Sequence, residues 1–127
     1  MNGITVITKS APLLDYCSSW QQAVYVTVDT EFMREHTYWP KLCLIQVGGP
    51  DESVVIDPLA EGIDLTPLYE LLINPNVLKV FHAARQDVEL FHHLTGQVPT
   101  PLFDTQLAAM VCGFGESVGY EKLAARL

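Results

Sequence analysis

Basic residues are scarce in this chain of 127 residues, which carries 7 Lys and Arg against 15 Asp and Glu, a formal net charge of −8. This balance argues against a protein that holds nucleic acid through a broad basic surface. The sequence also lacks a run of about 18 apolar residues and a secretory leader. We therefore expect a cytoplasmic protein that has no membrane partner.

Cysteine, glycine and proline are also limited in number. The 3 cysteines are widely spaced and form no CxxC pair, which indicates reduced thiols rather than disulfides. The 8 Gly and 8 Pro are not gathered into a low-complexity tract, and no internal repeat is visible. With 49% hydrophobic residues, the chain can bury one core, and we expect one domain.

The hydrophobic patterns predict an α/β fold with a mixed sheet flanked by helices. Three strands joined by a connector over 33–40 and a turn over 48–51 predict an antiparallel meander, and alternating helices and strands after them predict parallel pairing. The predicted strands cover 3–8, 24–32, 42–47, 54–56 and 77–81, and the predicted helices cover 11–22, 66–73, 83–94 and 106–111. Ser10 is the expected N-cap of the first helix, and Ser117 precedes a further helical start.

The second predicted strand ends in two carboxylates, Asp29 and Glu31, placed two residues apart. Side chains two residues apart lie on one face of a strand, roughly 6.5–7 Å apart along the backbone. A divalent cation can lie between two such carboxylates. The alternative is an amphipathic strand whose polar face is simply hydrated.

Asp87 interrupts the apolar stripe of the helix predicted at 83–94. An unpaired charge on a core-facing stripe is costly, so Asp87 needs a cation, a metal or a position near the end of the sheet. Arg85 and Lys79 are the local candidates for an ion pair. If Asp87 instead lies over the end of the Asp29 strand, Asp87 meets Asp29 and Glu31 there. The three carboxylates then supply oxygen ligands that suit Mg²⁺ or Mn²⁺.

Other polar residues have simpler explanations. His82, at a strand-to-helix junction, is placed either to reach a phosphate or to hold the turn. Asp104 is the expected N-cap of the next helix, and His92 and His93 are expected on a solvated helix face.

Five linked segments resemble ribonuclease D, a family of 3′–5′ exonucleases. They are Val28 to Phe32, Tyr38 to Gln46, Val55 to Pro58, Phe81 to Asp87, and Phe103 to Gln106. The resemblance implies a ribonuclease H-like fold and two divalent cations, Mg²⁺ or Mn²⁺. It also implies that Asp29 bridges both cations, Glu31 binds the one that activates water, and Asp87 helps to hold the other.

The same resemblance implies substrate contacts and a substrate class. It implies that Phe32 contacts the terminal nucleotide, and His82 is the other expected substrate-binding residue because of its place at the strand-to-helix junction. The expected substrates are single-stranded RNA 3′ ends, with tRNA precursors among them, or single-stranded DNA, and the products are nucleoside 5′-monophosphates.

The third motif of the family, Tyr-x-x-x-Asp, has no match, because Ala124 occupies the position that would follow Tyr120 in this pattern. We therefore expect residues 1–127 to be the N-terminal part of an exonuclease domain whose C-terminal part is missing. A catalytically incomplete module that binds nucleic acid or protein through the same fold is the alternative. A phosphatase of the haloacid dehalogenase type also has acidic residues at a strand end, but it requires Asp-x-Asp, and Glu31 departs from that pattern.

Overall fold

The computed structural model describes residues 3–34 and 38–127, which form six strands and five helices. The strands are β1 (Thr5–Ile7), β2 (Tyr25–Met33), β3 (Lys41–Gly48), β4 (Ser53–Ile56), β5 (Leu78–Phe81) and β6 (Leu102–Asp104). The helices are α1 (Ser10–Trp20), α2 (Thr66–Leu72), α3 (Arg85–Thr95), α4 (Thr105–Val111) and α5 (Tyr120–Arg126).

All six strands belong to one sheet in the order β1-β4-β3-β2-β5-β6. Strands β2, β3 and β4 are antiparallel neighbours, which confirms the predicted meander. Strand β1 is parallel to β4, β5 is parallel to β2, and β6 is parallel to β5. The predicted mixed α/β sheet is therefore confirmed, and β2 lies in its interior, between β3 and β5.

The two faces of β2 differ sharply in burial. Val26, Val28 and Thr30 are buried, whereas Asp29 and Glu31 are exposed on the opposite face. The buried face contacts a core that includes α1, α2 and α3 through Leu13, Trp20, Leu68, Leu71, Leu90 and Phe91. Burying each such side chain stabilises the fold by about 1.5–3 kcal/mol, so the core fixes which face of β2 carries its carboxylates.

Three local predictions differ from the structure. Ser10 does not cap α1, because the N-cap residue is Lys9. The Ser10 hydroxyl instead accepts a hydrogen bond from Asp64 N at 2.8 Å and donates one to Gly62 O at 3.3 Å. Helix α3 starts at Arg85 because Ala83 has a φ of +56°, outside the helical region. The short strand β6, which was not predicted, precedes α4 directly.

The remaining helix starts are close to those predicted. Asp104 is the N-cap of α4, as expected, and its side chain accepts from Gln106 N. Helix α5 begins soon after Ser117, with Gly119 as its N-cap. Within residues 3–34 and 38–127, no helix combines the length and the apolar character needed to cross a bilayer.

Candidate active site

Asp29 and Glu31 lie together on the exposed face of β2, near its C-terminal end. Their shared face follows from the strand alternation, because the residues beside them in sequence, Val28 and Thr30, are buried. One Asp29 oxygen, Oδ1, accepts a hydrogen bond from Thr30 N at 3.0 Å. The pairing of β2 with β3 is irregular between Glu31 and Phe32, and a bulge of this kind redirects the side chains that follow it. Phe32 is half-buried against the core.

Asp87 lies in the first turn of α3 and is buried, with 7% of its surface exposed. The hydroxyl of Thr30 donates a hydrogen bond to Asp87 Oδ1, which joins α3 to the centre of β2. Burial raises the pKa of Asp87 to about 6; the hydrogen bond from Thr30 opposes this shift, and the charge of Asp29 adds to it. The negative charges of Asp29 and Asp87 therefore repel each other.

The basic residues proposed as partners of Asp87 have other contacts. Arg85 Nε lies 3.3 Å from Glu89 Oε1, one helical turn further on. Lys79 is completely buried, and its Nζ donates to Asn74 O at 2.7 Å, while burial lowers the pKa of this amine to about 8. Neither contact neutralises Asp87, so the ion-pair explanation finds no support.

His82 lies at the junction of β5 and α3, and both of its ring nitrogens have hydrogen-bond partners. Nδ1 is 2.8 Å from Thr105 Oγ1, and Nε2 donates to Val118 O at 2.9 Å. The ring also lies edge-on to Tyr120, with 6.0 Å between centroids. These contacts tie β5 to the segment that leads into α5, so the structural role of His82 is visible and its contact with substrate stays a prediction.

Asp104 has a second role that the sequence did not reveal. Its carboxylate accepts from Ala83 N at 3.0 Å, Ala84 N at 2.9 Å and Gln106 N at 2.8 Å. Burial opposes ionisation, but backbone N–H groups, with Ala84 and Gln106 contributing most, outweigh it and lower the pKa of Asp104. Asp104 therefore holds the start of α3, and with it Asp87, as well as the start of α4.

A cavity of about 450 Å³ opens beside Asp29. Its lining mixes hydroxyl, amide and aromatic groups, namely those of Thr27, Gln46, His82, Thr105 and Tyr120, with the apolar Val28, Val80 and Phe81. Polar groups set among apolar side chains in a concavity are typical of small-molecule and nucleotide sites.

The donor set suits a divalent cation by its chemistry. Asp29, Glu31 and Asp87 offer hard carboxylate oxygens, which Mg²⁺ and Mn²⁺ prefer. Mutual repulsion between Asp29 and the buried Asp87 is the condition that a cation relieves. Among the described residues no group of three His, Cys, Asp or Glu side chains is close enough to hold a metal, so the three carboxylates do not form a closed cluster here.

Comparison with known proteins gives one consistent family. Residues 4–127 match the 3′–5′ exonuclease family. A ribonuclease D from Jannaschia sp. (strain CCS1) is 60% identical over 125 residues, an alignment that covers 95% of this chain and 32% of that protein. The chain therefore spans about a third of the length of this curated relative.

Two solved structures have the same fold. The Escherichia coli RNase D structure, described as an exoribonuclease involved in structured RNA processing, is 36% identical, with a TM-score of 0.89 over 96% of this chain and 32% of that one. Brucella melitensis NrnC with bound Mg²⁺ is 26% identical, with a TM-score of 0.81 over 99% of this chain and 62% of that one. The ribonuclease H-like sheet implied by the resemblance to ribonuclease D is thus confirmed, and the chain belongs to the 3′–5′ exonuclease family.

Proposed function

We propose that the chain forms the metal- and substrate-binding part of a 3′–5′ exoribonuclease that shortens single-stranded RNA and releases nucleoside 5′-monophosphates. One observation carries the proposal: Thr30 holds the buried Asp87, the charge of Asp29 adds to the effect of burial in raising the pKa of Asp87, and among the described residues neither Arg85 nor Lys79 is paired with it. Similarity to ribonuclease D favours RNA, including tRNA precursors, over single-stranded DNA.

Asp29, Glu31 and Asp87 are the residues that would hold two divalent cations, Mg²⁺ or Mn²⁺. When bound, such cations supply positive charge to the phosphodiester and activate the attacking water. They also offset a local deficit, because a chain with a net charge of −8 otherwise repels a phosphate. The structure of NrnC with bound Mg²⁺ supports this proposal by analogy.

The protein's own residues would position the substrate. Thr30 donates a hydrogen bond to Asp87 from the buried side of β2 and would hold this carboxylate in position. Phe32, which follows Glu31 and is half-buried against the core, would contact the terminal nucleotide, and His82, which lines the cavity beside Asp29, would contact the substrate there. We also propose that residues 1–127 are the N-terminal part of one exonuclease domain, and that the missing Tyr and Asp of its third motif come from the remaining part.

Cleavage of 5′-labelled single-stranded RNA tests the proposal, with Mg²⁺ or Mn²⁺ and an EDTA control. A ladder of products that keep the label identifies shortening from the 3′ end. We expect the ladder to disappear in EDTA and in Asp29→Asn but to persist in Asp51→Asn, which makes the same chemical change in an exposed turn. Parallel reactions with tRNA precursors and single-stranded DNA rank the substrates.

The assay also separates exonuclease activity from a non-catalytic interaction module. It is run on this chain and on the longest natural form that contains it. RNA binding without cleavage in both forms, unchanged by Asp29→Asn, would support the interaction module and contradict the exonuclease proposal.

A further inference from the structure

Two exposed aromatic rings lie beside α3, outside the cavity next to Asp29. Tyr38 is 85% exposed and Trp39 is 42% exposed. Their centroids are 5.4 Å apart with the rings nearly perpendicular, and Trp39 stacks on His93 of α3 at 4.0 Å with an angle of 10° between the rings. We refer to Tyr38, Trp39 and His93 as the aromatic platform.

The platform continues the line of β2 beyond Glu31. Lys41, the first residue of β3, pairs with Met33, and Glu31 pairs with Leu44. Trp39 precedes Lys41 by two residues and Met33 follows Glu31 by two, so four steps of about 3.3 Å and one crossing of about 4.8 Å between strands place the backbone of Trp39 at most roughly 18 Å from that of Glu31. That distance corresponds to a few nucleotides of an extended strand whose 3′ end is at Glu31.

The basic residues around the platform are notable in so acidic a chain. Arg34 and Lys41 are two of the 7 Lys and Arg residues, and they flank the aromatic pair in sequence. Arg34 Nη1 donates to Tyr38 O at 3.4 Å, which holds the backbone of Tyr38, and Lys41 is exposed. Of the other basic residues, Lys79 is buried and Arg85 forms an exposed ion pair with Glu89.

Aromatic faces next to basic side chains are the combination by which proteins hold single-stranded nucleic acid. Bases stack on the rings regardless of their identity, and the basic groups follow the backbone phosphates. An apolar protein partner would gain little from the charges, and a purely structural Trp39–His93 contact would not require the exposure of Tyr38.

We propose that the aromatic platform stacks bases of single-stranded RNA upstream of the 3′ end, and that Arg34 and Lys41 contact the phosphates between them. This inference rests on the proposed exonuclease function and names the part of the protein that holds the substrate strand. The platform then determines how well longer oligonucleotides bind, whereas a dinucleotide at the active site does not reach it.

Tryptophan fluorescence offers a direct test, because the chain has 2 Trp residues and Trp20 is buried at 3% exposure. Titrations use the Asp29→Asn background with Mg²⁺, in which we expect no cleavage of RNA. We expect a uridine hexamer to quench Trp39. The substitutions Tyr38→Ala and Trp39→Ala together should weaken hexamer binding by about 10-fold or more, measured by anisotropy of labelled RNA. Dinucleotide affinity should not change.

Two further variants guard against misfolding as an explanation. Trp39→Phe keeps a stacking face and should retain most of the affinity, while Tyr25→Ala removes a 55% exposed aromatic at the other end of β2 and should have no effect.

Arg34→Gln with Lys41→Gln should flatten the salt dependence by up to about 1.4 in log K per log salt, the amount expected for two contacts with a single strand.

The outcomes separate the two proposals. Hexamer binding that is equal in the wild-type platform and in the Tyr38→Ala, Trp39→Ala variant would overturn the platform and leave the exonuclease proposal intact. An equal loss of hexamer and dinucleotide binding would also overturn it, because the substitutions would then act on the site as a whole. Absence of any RNA binding in the unmodified protein, with and without Mg²⁺, would contradict the proposed function itself.

Discussion

At the scale of single residues, Asp87 is where the requirements of stability and function conflict. It is buried and repelled by Asp29, and its pKa is raised to about 6, so it is ionised at neutral pH at a cost to the fold. Each pH unit by which a pKa differs between the folded and unfolded states is worth about 1.4 kcal/mol. A bound cation would offset this unfavourable free energy, so the site is suited to bind one.

Asp87→Asn should therefore stabilise the metal-free protein, by roughly 1–3 kcal/mol at pH 8. The folded-state pKa, about 6, lies above the ordinary value of 3.8, so the wild-type fold takes up a proton as the pH falls between these values and gains stability. The advantage of the variant should accordingly shrink between pH 6 and pH 4. Urea unfolding in EDTA at several pH values measures it, and a variant that is less stable than the wild type at pH 8 would contradict the account.

The unusual position of Asp87 was predictable from the sequence, but its partner was not. A carboxylate on an apolar helical stripe is visible from residue spacing alone. Thr30, which donates a hydrogen bond to Asp87, is 57 residues away in the chain. In the sequence, nothing distinguishes Thr30 from the other residues of its strand. Such a contact depends on how α3 packs on β2, which the local pattern of neither element contains.

At the scale of elements, the start of α3 is set by β6 and not by α3 itself. Asp104, at the end of β6, accepts hydrogen bonds from Ala83 N and Ala84 N and also caps α4. Ala83 occupies the left-handed region, with φ of +56°, where a residue with a Cβ is strained. One carboxylate thus fixes the position of two helices and of the turn from which Asp87 is presented.

Asp104→Ala should destabilise the protein by about 1–3 kcal/mol, because it leaves three backbone N–H groups without their acceptor. The stability of Asp104→Asn, which keeps one acceptor oxygen, should lie between that of Asp104→Ala and that of the wild type. Since the folded-state pKa of Asp104 is lowered, this stabilisation is present above the ordinary value of 3.8 and is lost as the pH falls through the folded-state value. Thermal unfolding at pH 7 and pH 3 measures both effects; an Asp104→Ala variant as stable as the wild type at pH 7 would refute the role.

Strands with a long hydrophobic pattern were predicted correctly. The predictions failed where the structure depends on a contact with a residue far along the chain. Strands β2, β3 and β4 alternate or run apolar over their length, and their pairing followed from the turns between them. Strand β6 has only three residues and has no pattern of its own. Ser10 was predicted to cap α1, but its hydroxyl is used by Gly62 and Asp64, far along the chain.

At the scale of the whole molecule, the sheet order explains why the candidate site lies where it does. Strand β3 pairs with β2 at both Asp29 and Glu31, whereas β5 pairs with β2 only from Tyr25 to Thr27, so the two carboxylates lie past the end of that pairing. The parallel β2–β5 pair brings the start of α3 to the same end of the sheet as the carboxylates. The family was visible in the sequence because its motifs are those that this topology brings together, whereas the unclosed geometry of the three carboxylates was not.

We propose that Asp29, Glu31 and Asp87 together hold the divalent cations, and Mn²⁺ binding measured by electron paramagnetic resonance tests this without requiring catalysis. We predict saturable binding that weakens by about 10-fold or more in Asp29→Asn and in Asp87→Asn, since each removes a ligand, and that is unchanged in Asp51→Asn. Mn²⁺ affinity that is the same in all four proteins, or no binding to the wild type, would contradict the account.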